Sequence, residues 1–154
     1  MHCQGFAPFY NEDSRVLILG SFPSVKSREV NFYYGNNQNR FWKTIAKIYN
    51  EPVPKTLDEK KALLTNHDIA LWDMVVECDI EGSMDKDIRN PVIADVPDLL
   101  TKIPCERIFC NGTASYNLLI NNYPTLSDIA TKLPSTSPAN GRFDENIWKE
   151  ALLK

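Results

Sequence analysis

The chain has 154 residues, 43% of them hydrophobic and 24% charged, with 10 Pro, 6 Gly and 4 Cys. That balance excludes collagen-like, disordered and disulfide-framework proteins and fits a single domain, which at this length buries roughly 68–70% of its extended surface without a staple. The net charge of −3 argues against a nucleic-acid partner, but Arg15, Lys26, Arg28, Arg40, Lys43 and Lys47 face only Glu29 between Ser14 and Ile48. That segment therefore carries +5 and the remainder −8, and it reads either as an anion-binding surface or as a solvated helix face.

In chain order, Arg15–Gly20 is a short run, apolar on both faces, that reads as a buried, central strand delivering the Ser21–Ser24 loop. Helical spacing of apolar residues predicts a helix over Phe41–Tyr49 and a shorter one over Asp58–Thr65, with Pro52 and Pro54 between them. Ile69–Met74 is a second strand carrying Asp73 near its end, and Arg107–Asn111 a third, followed by Gly112 and a helix over Ala114–Asn121. A fourth strand at Ile129–Leu133 runs into the Pro134–Pro138 loop, and Asp144–Leu153 closes as a helix with Trp148 and Leu152 on one side. Strands alternating with helices predict an α/β protein with a parallel sheet covered on both faces. Ligands of such sheets sit beyond the carboxyl ends of the strands, which singles out the Gly20–Ser24 loop, Asp73, Asn111 and the Pro134–Pro138 loop.

No apolar stretch approaches a membrane span, and Met1–Tyr10 lacks the basic-then-apolar order of a secretory signal, so a cytoplasmic protein is expected. Cys3, Cys78, Cys105 and Cys110 are scattered without a C-x-x-C pair. With His2 and His67 the only histidines, zinc, iron–sulfur and imidazole chemistry are all disfavoured, and no metal or cofactor is expected. Neither loop is a dinucleotide or P-loop fingerprint. They offer instead hydroxyls beside prolines: Ser21, Ser24 and Ser27 in one, Ser135, Thr136 and Ser137 in the other, suited to phosphate contacts or simply to turns. Phe32, Tyr33 and Tyr34 are either stacking faces or core, and Asn37 or Asn39 suits the N-cap of the following helix.

Six motifs follow in order: Leu19–Ser24 (LGSFPS), Tyr33–Trp42 (YYGNNQNRFW), Ala70–Asp73 (ALWD), Asn90-Pro91, Phe109–Gly112 (FCNG) and Leu133–Ala139 (LPSTSPA). This series resembles the uracil-DNA glycosylase superfamily from about Arg15 to the C-terminus, and within it the hypoxanthine-DNA (deoxyinosine) glycosylase branch. The resemblance implies a three-layer α/β/α sandwich with a short, mainly parallel sheet. It also implies hydrolysis of the bond joining a deaminated base, hypoxanthine in this branch, to deoxyribose in DNA.

Residue by residue, the resemblance implies that Phe22 stands where the mismatch-specific branch has its water-holding Asn, and that Asn39 supplies that amide here. It places Tyr34 as the aromatic stacked on the extruded base, with Phe22 beside it, and Asp73 where relatives read the base edge. Asp73 is also a rival base or cation stabiliser, or else a helix cap after its strand. Asn111 joins the base pocket, and Ser21, Ser24, Arg40, Ser135, Thr136, Ser137 and Asn140 are expected to contact the DNA backbone. No lysine falls at a matched catalytic position, so a monofunctional route without a Schiff base is expected, in a monomer. The last motif holds no His, so strong uracil excision is not implied. A uracil or G/U mismatch glycosylase, or a catalytically weak nucleic-acid-binding module, are the alternatives.

Overall fold

A computed structural model describes residues 2–23, 25–79 and 88–153. The elements are β1 (His2–Gln4), β2 (Val16–Gly20), α1 (Val25–Val30), α2 (Phe41–Ile48), α3 (Leu57–Asn66), β3 (Ile69–Asp73) and β4 (Val75–Asp79). They continue with β5 (Arg89–Ile93), α4 (Val96–Leu100), β6 (Arg107–Asn111), α5 (Thr113–Asn122), a 3₁₀ turn (Pro124–Asp128), β7 (Ala130–Leu133) and α6 (Glu145–Leu153).

The central sheet has the order β3-β2-β6-β7, with every neighbouring pair parallel. All five residues of β2 are buried, because its two faces feed two cores. Val16 and Ile18 pack with α2, α3 and α6, whereas Leu17 and Leu19 pack with α4 and α5 on the opposite side. Helices on both faces make the three-layer α/β/α sandwich that the alternation of elements predicts. Helix α2 buries Phe41, Trp42, Ile45, Ala46 and Ile48 and leaves Lys43 and Lys47 in solvent. The far edge at β3 is covered by the N-terminal segment, where Phe9 and Leu71 exchange two backbone bonds of 2.9 Å.

The second predicted strand does not lead to a helix. Met74 only interrupts it, and the apolar run continues through Val75 and Val76 into β4, which pairs antiparallel with β1 and β5 in a separate three-stranded sheet. Asp73 therefore caps no helix, and that reading of it is withdrawn.

Helix α3 starts in a capping box: Thr56 Oγ1 accepts from the Glu59 amide at 3.1 Å, and Glu59 Oε1 accepts from the Thr56 amide at 3.0 Å. Thr56→Ala is expected to lower stability by about 1 kcal/mol, or about 3 °C in Tm, while leaving activity at the sheet's carboxyl rim unchanged. Thermal melting beside an activity assay checks both halves of this expectation.

Candidate active site

Gly20, Asp73, Asn111 and Leu133 are the last residues of the four central strands, and in register Gly20 pairs with Asp73 and Asn111 with Leu133. The chain therefore leaves all four strands at one rim, and there it encloses a cavity of about 330 Å³, at the small end of small-molecule sites. Its walls include Ser21, Phe22, Tyr34, Asn39, Asp73, Asn111, Ser135, Thr136, Ser137 and Asn140, which brings ten of the twelve expected site residues together. Of the other two, Ser24 lies outside the described residues and Arg40 stands behind the wall. No lysine is among the described residues that line the cavity.

Asp73 is 5% exposed. Its closeness to the neighbouring strand fixes the residue opposite, since a Cβ on Gly20 would lie 2.5 Å from Asp73 Oδ1 and 3.2 Å from Tyr34 Oη. Only glycine leaves room for a carboxylate and a phenol together at this point. Tyr34 itself has φ of 54°, a left-handed conformation costly for a bulky residue. Its ring stacks on Phe41, with centroids 4.1 Å apart and planes at 21°. The hydroxyl is fully buried while the residue as a whole stays half-exposed toward the cavity. Burial, and then the charge of Asp73, push the Tyr34 phenol well above its ordinary range, so it stays neutral at any working pH. Its neighbours in the motif belong to the core: Phe32 and Tyr33 are 8% and 2% exposed, and Tyr33 Oη donates to the Ala7 carbonyl at 2.8 Å.

Asn39 stands just before the N-cap of α2, which is Arg40 and not the expected Asn37 or Asn39. Its Oδ1 accepts from the Phe41 amide at 2.9 Å, and its own amide donates to the Asn36 carbonyl at 2.9 Å. Because Phe41 N–H is a donor, the amide's oxygen end is assigned by chemistry, and the second lone pair of that oxygen stays available. Phe41 thus holds both Asn39 and Tyr34, a role that an apolar helix residue does not announce in sequence. Ser27, expected in the first loop, sits in α1 at 1% exposure, where its hydroxyl accepts from the Gly35 amide at 2.8 Å and anchors the Tyr34 turn.

The second loop is built on itself. Ser135 Oγ accepts from the Ser137 amide at 3.1 Å, Ser137 Oγ accepts from the Ala139 amide at 3.2 Å, and Asn140 Nδ2 donates to the Ser135 carbonyl at 2.9 Å. Asn111 clamps this loop with both ends of its amide: Oδ1 accepts from the Thr136 amide and Nδ2 donates to Thr136 Oγ1, each at 2.9 Å. Thr136 is 1% exposed, so its hydroxyl serves Asn111 and not a phosphate, which corrects the expectation of a DNA contact there. Gly112, at φ of 97°, permits the sharp turn that follows β6, and a Cβ there would meet Ser135 Cβ at 3.1 Å. The basic segment also disperses. Lys47 pairs with Glu145 at 2.5 Å, Arg28 lies 5.6 Å over the Phe22 ring, and Arg40 turns into the loop.

Comparison with known proteins shows the family. The uracil DNA glycosylase superfamily matches residues 7–152. A hypoxanthine DNA glycosylase of Methanosarcina acetivorans is 35% identical over 151 residues, covering 96% of this chain and 94% of that protein. One from Methanosarcina barkeri is 33% identical over 117 residues, covering 75% and 74%. A solution NMR structure from Methanosarcina acetivorans, provisionally assigned as a uracil DNA glycosylase, superposes with a TM-score of 0.86 at 30% identity over 99% of this chain and 97% of that one. No helix among the described residues is long and apolar enough to cross a membrane. With the fold and near-complete coverage in agreement, the chain belongs to the uracil DNA glycosylase superfamily and is a DNA glycosylase, hydrolysing an N-glycosidic bond.

Proposed function

We propose that this enzyme excises hypoxanthine from DNA and leaves an abasic site, acting as a cytoplasmic monomer of one domain. The observation that carries the reading is the convergence of Asn39, Asp73 and Tyr34 on one small cavity beside a hydroxyl-rich loop. The two Methanosarcina relatives named for hypoxanthine support the choice of base. The free thiols of all four cysteines are in keeping with a reducing compartment.

The target nucleotide must leave the duplex, at a cost of a few kcal/mol that is smallest for a mispaired base. Extruded hypoxanthine then rests against the Tyr34 ring with Phe22 at its side, and its N1–H donates to the Asp73 carboxylate, an edge that adenine lacks. Water held by the free lone pair of Asn39 Oδ1 adds to C1′ as the C1′–N9 bond breaks. The bonding pair leaves with the base, the hydroxyl stays on the sugar and the water's proton balances the base anion. Asn39 acts by alignment and not by basicity. Ser21, Ser135, Ser137 and Asn140 face the backbone phosphates, contacts that position the strand without choosing the base.

Single-turnover excision on matched duplexes carrying deoxyinosine, deoxyuridine or deoxyxanthosine tests the choice of base. The deoxyinosine duplex is expected to react fastest, and faster reaction of deoxyuridine would reassign the enzyme. With no cavity lysine among the described residues, borohydride treatment during turnover is expected to trap no protein–DNA adduct. A covalent adduct on a denaturing gel would replace direct hydrolysis by a Schiff-base route.

A further inference from the structure

Arg40 is half-buried between the Asn39 turn and the Ser135–Asn140 loop and is not among the residues that line the cavity. Its Nη1 donates to the carbonyls of Ser137 at 3.0 Å and Asn140 at 2.9 Å, and its backbone amide donates to the Thr136 carbonyl at 3.0 Å. The guanidinium lies 5.2 Å over the Phe143 ring, just beyond the same loop. Along the chain its neighbours are Asn39 and Phe41, joined to each other by the bond that orients the Asn39 amide. These hydrogen bonds of Arg40 therefore run from the turn that holds Asn39 to the loop that faces DNA.

We propose that Arg40 is a positioning residue that fixes the Asn39 amide relative to the Ser135–Asn140 loop, so that gripping the backbone and aligning the water are one event. The proposal rests on the glycosylase reading of Asn39 and of that loop. It departs from the expectation that Arg40 neutralises a phosphate, because its Nη1 is directed to two neutral carbonyls within the protein. The two hydrogens of Nη1 are held in the guanidinium plane and meet one carbonyl each, whereas a lysine ammonium is a compact, freely rotating point charge on a shorter, flexible stem. The two roles therefore differ in what a lysine can replace.

The test compares Arg40→Ala and Arg40→Lys with the wild type at equal melting temperature. Three readouts are taken: the single-turnover rate at saturating deoxyinosine duplex, the salt dependence of binding to a non-cleavable 2′-fluoro analogue of it, and amide exchange over residues 134–142. Both variants are expected to lose about 10²-fold in rate, the scale of a displacement of about 1 Å. The salt slope should stay as in the wild type, exchange in the loop should accelerate, and guanidinium ion should restore part of the rate to Arg40→Ala. Full activity in Arg40→Lys, or a salt slope reduced by about one, would make Arg40 a phosphate contact and overturn the proposal. An unchanged rate in Arg40→Ala would also overturn it. If the wild type itself releases no base, the glycosylase reading fails, while loop exchange in Arg40→Ala still reports whether Arg40 holds the loop.

Discussion

Asn39→Ala is expected to slow excision of hypoxanthine by about 10²–10³-fold while leaving the fold and DNA affinity nearly intact. The magnitude is that of removing one preorganised polar group from the reacting centre. Substitution removes two things at once, the alignment of water and the bond from the Phe41 amide at the start of α2, and they separate by measurement. Loss of the Phe41–Asn39 bond costs about 1 kcal/mol of stability, which appears in Tm. Loss of aligned water appears only in the rate at saturating DNA. A variant that melts lower but excises at the wild-type rate would leave Asn39 with its structural role alone and move the chemistry to Asp73.

Gly20→Ala is the second large effect expected, from a single methyl group. Its Cβ would meet Asp73 Oδ1 at 2.5 Å and Tyr34 Oη at 3.2 Å, and neither group can swing into solvent, since Asp73 is 5% exposed and the Tyr34 hydroxyl is buried. Overpacking of this kind costs about 1–3 kcal/mol. A shift of about 1 Å in either residue at the reacting centre would cost about 10² in rate. The expected phenotype is therefore a modest loss of stability with a disproportionate loss of excision. An equal change at Gly141, where an added Cβ meets nothing within 4 Å, is the control and should alter little. Wild-type turnover in Gly20→Ala would mean that Asp73 and Tyr34 are not held where the base must fit.

The strongly periodic elements were legible in sequence because one force made them. Strands β2 and β6 are apolar on both faces, and α2 and α6 alternate by helical period, so β2, α2, β6 and α6 fall within one residue of their expected bounds. The second sheet was not legible for equally physical reasons. Strand β1 is three residues long, β5 is exposed at four of five positions and interrupted by Pro91, and β4 follows β3 after one residue, so the pair reads as a single apolar run. Helices α1 and α4, at six and five residues, are too short for a period to register.

Within the site, sequence located the residues better than it described their work. Position at a strand end predicted that Asp73 and Asn111 would share a rim, because parallel strands deliver their carboxyl ends together. Partners were invisible. Nothing local to Asn111 announces a clamp on Thr136, 25 residues on, nor to Arg40 a carbonyl 97 residues away. A hydroxyl that faces a phosphate and one that closes a loop are the same letter. Only burial separates Thr136 at 1% exposure from the half-exposed Ser135 and Ser137.

Release of the free base is the most direct test of the account. The wild-type protein is incubated in excess with a deoxyinosine duplex, and both products, free hypoxanthine and the alkali-labile abasic strand, are quantified against time. Equimolar appearance of the two, with single-exponential kinetics in the absence of any added cofactor, is the predicted result. Binding of the duplex with no hypoxanthine released would contradict it.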